Sequence, residues 1–388
     1  MMQDGQARSG SRPQTRMVVP LVLLAILLTA AGLALAGPVA PQAGAAQPGT
    51  EAPECATGVD FLGFSDALNK RTYEGTSVGG LSALAYTGRQ STYYSLVDNG
   101  PTASSEARFY TLRIPVKDGL GTPEILDVTT LKDASGQAFT ASNFDGEGLA
   151  ITRRGDLLAS SETEPEVRRF DADGNLIEEL PVPQKFKVAP EGEGQRNQTF
   201  ESLALAPNGR SLFTANEGFL LADGETADGS DRIRILRYED RGPGSFEPAE
   251  EFFYLADPNL GVVEIVALSE DELLVLERGF RSGVGNTVRV YRVSLEGAED
   301  VSDEPSLAAP GLEPVEKELL VDLADCPSSG ATTPGTQANP LLDNYESLTL
   351  GPRLPGGRRS LLLQSDDNFS AGQVTRVVAL GVENGQLR

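Results

Sequence analysis

The sequence contains no histidine and no tryptophan. Without histidine there is no Ser-His-Asp or Cys-His relay, no imidazole-ligated zinc and no phosphohistidine chemistry. No P-loop, GxSxG or CxxC pattern occurs. The three methionines, Met1, Met2 and Met17, all precede the end of one N-terminal apolar run, and Cys55 and Cys326 are the two cysteines. Basic residues are scarce, with Lys and Arg numbering 32 against 56 Asp and Glu, a net charge of −24. That excess of acid argues against binding a nucleic-acid backbone or an anionic membrane surface, and suits a chain that collects cations. Any chemistry must draw on carboxylates, Arg, Lys, Ser, Tyr or a bound hard metal ion.

What is present begins with an export signature. Arg8, Arg12 and Arg16 lead into the unbroken apolar run Met17–Ala36, with A-x-A matches at Ala34-Leu35-Ala36 and Ala43-Gly44-Ala45. This is the layout of a signal peptide over residues 1–36, although the run is also long enough to stay as a membrane anchor. Residues 37–54, rich in Pro, Ala and Gly, read as a flexible linker. Residues 55–388 remain for one folded domain. The expected location is secreted or periplasmic, tethered to the membrane if the leader is kept. In an exported chain the simplest use of Cys55 and Cys326 is a disulfide joining the domain's entry to a late loop.

The domain repeats itself. A glutamate ahead of a short apolar strand occurs in Asp145-Gly-Glu147-Gly-Leu-Ala-Ile151, Phe200-Glu201-Ser-Leu-Ala-Leu205, Val263-Glu264-Ile-Val-Ala-Leu268 and Tyr345-Glu346-Ser-Leu-Thr-Leu350. A fifth copy, Gly79-Gly80-Leu-Ser-Ala-Leu84, has Gly80 where the acid should be. Each copy leads to a second strand ending in a polar, mostly acidic knot, then to an alternating third strand such as Thr287-Val-Arg-Val-Tyr-Arg-Val293. Four copies add a fourth strand. Tandem four-stranded units of this kind are propeller blades. The fold class is therefore all-β, a β-propeller with five countable blades, or six if residues 60–79 hide another. The last copy has no room for a fourth strand, so the N-terminal strand Val59–Ser65 is expected to complete it and close the ring.

First strands of blades line a propeller's channel, so Glu147, Glu201, Glu264 and Glu346 should form a ring at one rim. Close like charges need a neutraliser, and Ca2+, which takes six to eight oxygens, is the simplest. The second-strand acids Asp98, Glu162, Glu217, Glu277, Asp366 and Asp367 would share that side if the hairpins are in register. The expected metal ligands are Asp98, Glu147, Glu201, Glu217, Glu264, Glu346 and Asp367. The same four ring glutamates and Arg278 are the catalytic candidates, Arg278 as a bidentate phosphate contact. Two plainer readings stand beside these: each glutamate fixes blade packing through backbone N–H groups, and Arg278 pairs with Glu277.

The stretches Leu62-Gly-Phe-Ser-Asp-Ala-Leu68, Val78-Gly-Gly-Leu-Ser-Ala-Leu84, Phe144-Asp-Gly-Glu-Gly-Leu-Ala150, Phe200-Glu-Ser-Leu-Ala204, Leu276-Glu-Arg278 and Asn344-Tyr-Glu-Ser-Leu348 carry a resemblance. Across nearly the whole mature chain the sequence resembles the phytase-like domain family, described as having esterase-like activity of phytase. The resemblance implies an exported propeller with calcium-dependent hydrolysis of phosphate esters. The expected partner is a small phosphate ester or another small ligand, with no nucleic acid, no membrane after leader cleavage, and a monomeric state. The alternative is a non-catalytic propeller that binds a ligand or partner, its acids structural or calcium-holding.

Overall fold

The computed structural model describes residues 53–387 apart from Asn99, Pro243 and Gly244. The expected leader and nearly all of the linker lie outside the described residues. β1 (Glu54–Ala56) and β2 (Val59–Ser65) come first, followed by a small hairpin of β3 (Thr72–Tyr73) and β4 (Thr76–Ser77). Blade 1 is β5 (Leu81–Tyr86), β6 (Thr92–Val97), β7 (Arg108–Arg113) and β8 (Glu124–Thr130). Blade 2 is β9 (Gly146–Ile151), β10 (Leu157–Ser161), β11 (Glu166–Phe170) and β12 (Leu176–Glu179). Blade 3 is β13 (Ala204–Leu205), β14 (Ser211–Ala215), β15 (Arg232–Asp240) and β16 (Phe246–Leu255). Blade 4 is β17 (Gly261–Ala267), β18 (Glu272–Arg281), β19 (Gly285–Ser294) and β20 (Glu316–Asp322). Blade 5 joins β21 (Tyr345–Leu354), β22 (Arg358–Ser365) and β23 (Val377–Glu383) to β2 and β1.

All strand pairing within the blades is antiparallel, and β2 pairs with β23 as the ring-closing strand, Val59 opposite Val382 and Ser65 opposite Val377. The chain thus makes five blades; residues 60–79 supply the closing strand and the small hairpin, not a sixth blade. Among the described residues there is no α-helix, only short 3-10 turns, and no helix long and apolar enough to cross a membrane.

Alternation decides which faces are buried. In β19, Val288 and Val290 pack on the blade 5 side, while Tyr291 and Val293, on the opposite face, pack on the blade 3 side. The outermost strands β8 and β12 have no buried residue and carry exposed acids, Glu124 and Asp127 on β8 and Glu179 on β12, charges that discourage pairing with other chains at a blade edge. The core divides into apolar layers between neighbouring blades, one for each junction of the ring. Blades 5 and 1 share Leu62, Leu81, Tyr93, Leu362 and Val377. Blades 4 and 5 share Leu274, Val288, Leu348, Leu361 and Phe61. Each such side chain, fully buried, stabilises the ring by about 1.5–3 kcal/mol. The Cys55–Cys326 disulfide is formed, and it ties β1 at the edge of blade 5 to the turn after β20 in blade 4.

One local feature recurs at the head of the inner strands. The ladder between the first and second strand is broken by a bulge between Leu81 and Ala83, Val262 and Glu264, and Tyr345 and Ser347, and opposite β9 between Ala159 and Ser161. In blade 3 the ladder begins only at Ala204, because side chains replace it: Thr214 Oγ1 donates to Ser202 O at 2.7 Å and Ala215 N donates to Ser202 Oγ at 3.1 Å. Bulges bend a strand and re-aim its side chains. Here they fall at the strand heads, beside Gly80, Glu264 and Glu346, and opposite the start of β9.

Candidate functional site

Second strands run antiparallel to first strands, so the end of one lies beside the start of the other. That register brings Asp98, Glu162, Glu217 and Asp366, which follow β6, β10, β14 and β22, to the rim carrying Glu147, Glu201 and Glu346. Two sets of three carboxylates result, Asp98–Asp145–Glu147 and Glu147–Glu162–Glu201. Within each set one oxygen per residue lies within 4.8 Å of the others, and every member is buried. Glu147 belongs to both.

The electrostatics follow from this crowding. Burial, then Glu201, Asp145, Asp98 and Glu162, push the Glu147 carboxyl well above the ordinary carboxylate range. Glu201 is raised by burial, then by Glu162, Glu217 and Glu346. Glu162 is pushed up to about 8 by burial, Glu217 and Asp145. Asp366 is raised by burial, Asp98 and Glu346. The cluster holds more negative charge than its surroundings can solvate, and protons or a cation must offset it. Glu201 Oε2 is buried with no hydrogen-bond partner among the described residues. An all-carboxylate donor set with an unmet oxygen fits a hard, oxygen-seeking cation such as Ca2+.

Arg278 is the one cation inside this cluster among the described residues. It sits late in β18, where its Nη2 donates to Glu346 Oε1 at 2.6 Å and approaches Glu217 Oε1 at 3.5 Å. Burial opposes its charge, but Glu346, Glu217, Glu201 and Asp366 more than compensate and hold it ionised. Its Nε has no hydrogen-bond partner among the described residues. The simple pair with Glu277 does not form. Glu277 instead accepts from Tyr254 Oη at 2.5 Å, Asp257 N at 2.9 Å and Lys317 Nζ at 2.6 Å, joining the last strand of blade 3 and the loop after it to blade 4.

Two expected ligands stand apart. Glu264 Oε1 accepts from Leu203 N at 3.2 Å and Ile265 N at 2.9 Å, so it stitches blade 4 to blade 3 rather than joining either set of three. Asp367 is held by Lys70 Nζ, Gly80 N and Phe369 N, an arrangement that closes blade 5 onto blade 1. Glu217 and Glu346 gather around Arg278 rather than Glu147. Asp145, Glu162 and Asp366 were not in the expected ligand set. A cue for Asp145 was present, since residues two apart on a strand share a face and Asp145 precedes Glu147 by two.

Gly80 has a physical explanation. Its φ is +60°, and a Cβ there would lie 2.0 Å from Asp98 Oδ1 and 2.6 Å from the Phe369 ring. The place a fifth glutamate would occupy is filled by the Asp98 carboxylate delivered from the next strand. Gly148 is constrained differently: a Cβ would meet Leu203 N and the Ser202 carbonyl carbon at 2.5 Å, where blades 2 and 3 touch.

Fold and site together define a closed five-bladed propeller with a buried carboxylate cluster at one mouth of its channel. The family described as phytase-like, with esterase-like activity of phytase, matches residues 76–369, and the chain belongs to it. No relative matches among curated proteins. Among solved structures, the periplasmic gluconolactonase of Pseudomonas aeruginosa is similar at 16% identity and TM-score 0.34, over 78% of this chain and 85% of that one. The PQQ-bound aldose sugar dehydrogenase of Streptomyces coelicolor is similar at 15% identity and TM-score 0.31, over 79% and 84%. Likeness at that level carries no argument about chemistry.

Proposed function

We propose that the carboxylate-lined mouth holds divalent calcium and hydrolyses phosphate esters of small molecules, in an exported protein. The observation that supports this is the pair of carboxylate sets sharing Glu147, with Arg278 beside them. Asp98, Asp145, Glu147, Glu162 and Glu201 would hold the cation, which when bound supplies charge neutralisation at a phosphoryl oxygen and a more acidic water. Burial of these acids keeps bulk water out and strengthens each interaction made there. Glu346 and Glu217 fix the Arg278 guanidinium so that its Nε edge is free to donate to a phosphate oxygen. Phosphate release from phytate and from p-nitrophenyl phosphate, measured with calcium and with chelator, tests the reading. Release that needs calcium is expected; no turnover of either substrate by folded protein would overturn it.

The second reading is a non-catalytic propeller in which the cation only braces the ring around a bound ligand. It is favoured by Glu264 and Asp367, whose carboxylates serve blade junctions. Calcium-dependent melting without turnover is the result that would select it.

A further inference from the structure

The other end of the channel is built from different chemistry. A cavity of 660 Å³ opens there, walled by the far ends of all five inner strands and their turns. Ile151, Leu205, Val266, Leu268 and Leu350 line it, each only partly buried, and Glu264 is the one carboxylate among its lining residues. That carboxylate is already engaged by two backbone N–H groups.

Three arginines line the same cavity: Arg153, Arg353 and Arg359. None forms an ion pair among the described residues. Arg153 Nη2 donates to Pro207 O at 2.6 Å, and Arg359 Nε donates to Gly351 O at 3.3 Å. Arg353 and Arg359 stand directly opposite each other in the β21–β22 ladder. Like charges at opposed positions destabilise a sheet. Burial and Arg353 both make the Arg359 cation harder to keep. Arg153 and Arg353 are exposed and Arg359 is half-buried. Elsewhere in this acid-rich chain Arg234 pairs with Asp223 and Glu251, Arg376 with Asp66, and Arg278 with Glu346, while buried Arg108 is held by Tyr110 Oη and two backbone carbonyls. Arginines without a carboxylate partner, gathered beside apolar strand ends in one cavity of mixed lining, have the composition of a site for an anion with an apolar body.

We propose that this mouth is a second binding site, for a small organic anion whose apolar body lies in the channel and whose head group is held by Arg153, Arg353 and Arg359. The site is independent of hydrolysis at the acidic mouth. A cation there and an anion here would sit at opposite ends of one channel, each with the wall chemistry it needs.

The test uses isothermal titration of the full folded protein with octane-1-sulfonate and with neutral octyl glucoside, both below their micelle concentrations. Saturable binding of the sulfonate is expected, and little or none of the glucoside. The R353Q/R359Q double variant should weaken sulfonate binding roughly tenfold or more, as expected for losing charge-assisted contacts. Without ligand, that variant should melt at the same temperature as the parent or higher, because a repelling pair has been removed. The proposal is overturned by equal affinity for both probes, by no saturable binding, or by sulfonate affinity unchanged in the double variant. A lower melting temperature of the unliganded double variant would also overturn it, since the arginines would then be holding the fold.

Discussion

Glu147 and Glu264 hold corresponding positions in two blades, and the structure gives them opposite jobs. Replacing Glu147 by Gln keeps its shape and removes its charge. In cation-free protein the ionised form of Glu147 is disfavoured by burial and by Glu201, Asp145, Asp98 and Glu162, so the amide should leave stability unchanged or raise it. What it should remove is the response to calcium, because Glu147 is the member common to both carboxylate sets. A cation at a hundred times its Kd stabilises the folded state by about 2.7 kcal/mol, a shift of about 4 °C in Tm for a chain of this size. That shift should nearly vanish in E147Q.

Glu264→Ala should behave in the reverse way. It strands Leu203 N and Ile265 N, two buried donors worth about 1–3 kcal/mol each, and should lower Tm by about 3–8 °C with the calcium response intact. Glu264→Gln keeps the accepting oxygen and should be mild. Thermal unfolding followed by circular dichroism, in chelator and in saturating calcium, reads both effects. An E147Q variant that still gains the full calcium shift would refute the reasoning, as would an E264A variant that folds but has lost the shift.

Three further outcomes are expected. The Glu162 carboxyl is raised to about 8, so its contribution to cation-free stability is complete below the ordinary carboxylate range and is lost as pH rises to about 8, a fall of up to about 5 kcal/mol; chemical denaturation in chelator across that range should show the decline and calcium should flatten it. Arg278→Gln leaves Glu346 and Glu217 without their cation and should cost about 3–5 kcal/mol in chelator while tightening calcium binding; equal stability with weaker calcium binding would contradict the role given to Arg278. Gly80→Ala forces a Cβ against Asp98 Oδ1 in a left-handed backbone, and should lower both Tm and calcium affinity, the latter measured by titration calorimetry.

The blades were legible because each repeats the same sentence of apolar strand, acidic knot and alternating strand, and hydrophobic period survives even where loop lengths differ. Ring closure by Val59–Ser65 was legible by subtraction, since the last blade lacked a strand. The bulges were not legible, because they depend on where a ladder slips and not on composition. Nor was β1, whose three residues add an edge to blade 5 beyond the closing strand. At the site, sequence position could bring acids to one rim but could not say which way each carboxylate turns. Glu264 turns to the backbone of blade 3 and Asp367 to Lys70, while Asp145 turns inward beside Glu147. Those choices are made by single hydrogen bonds, which leave no periodic trace.

The five equivalent strand heads show how a symmetric ring becomes an asymmetric site. Were all five to carry ionised glutamates facing the axis, mutual repulsion in a buried setting would oppose closure of the ring. The chain relieves this in three ways. It withdraws one acid into a blade junction at Glu264, neutralises another with Arg278 at Glu346, and omits the fifth at Gly80, where Asp98 reaches in from the second strand instead. Only Glu147 and Glu201 are left facing each other with Asp98, Asp145 and Glu162 around them. The two carboxylate sets that share Glu147 thereby draw only on blades 1 to 3, where a single neutraliser can reach both. A cation bound there would hold together the part of the ring farthest from the Cys55–Cys326 clamp between blades 4 and 5.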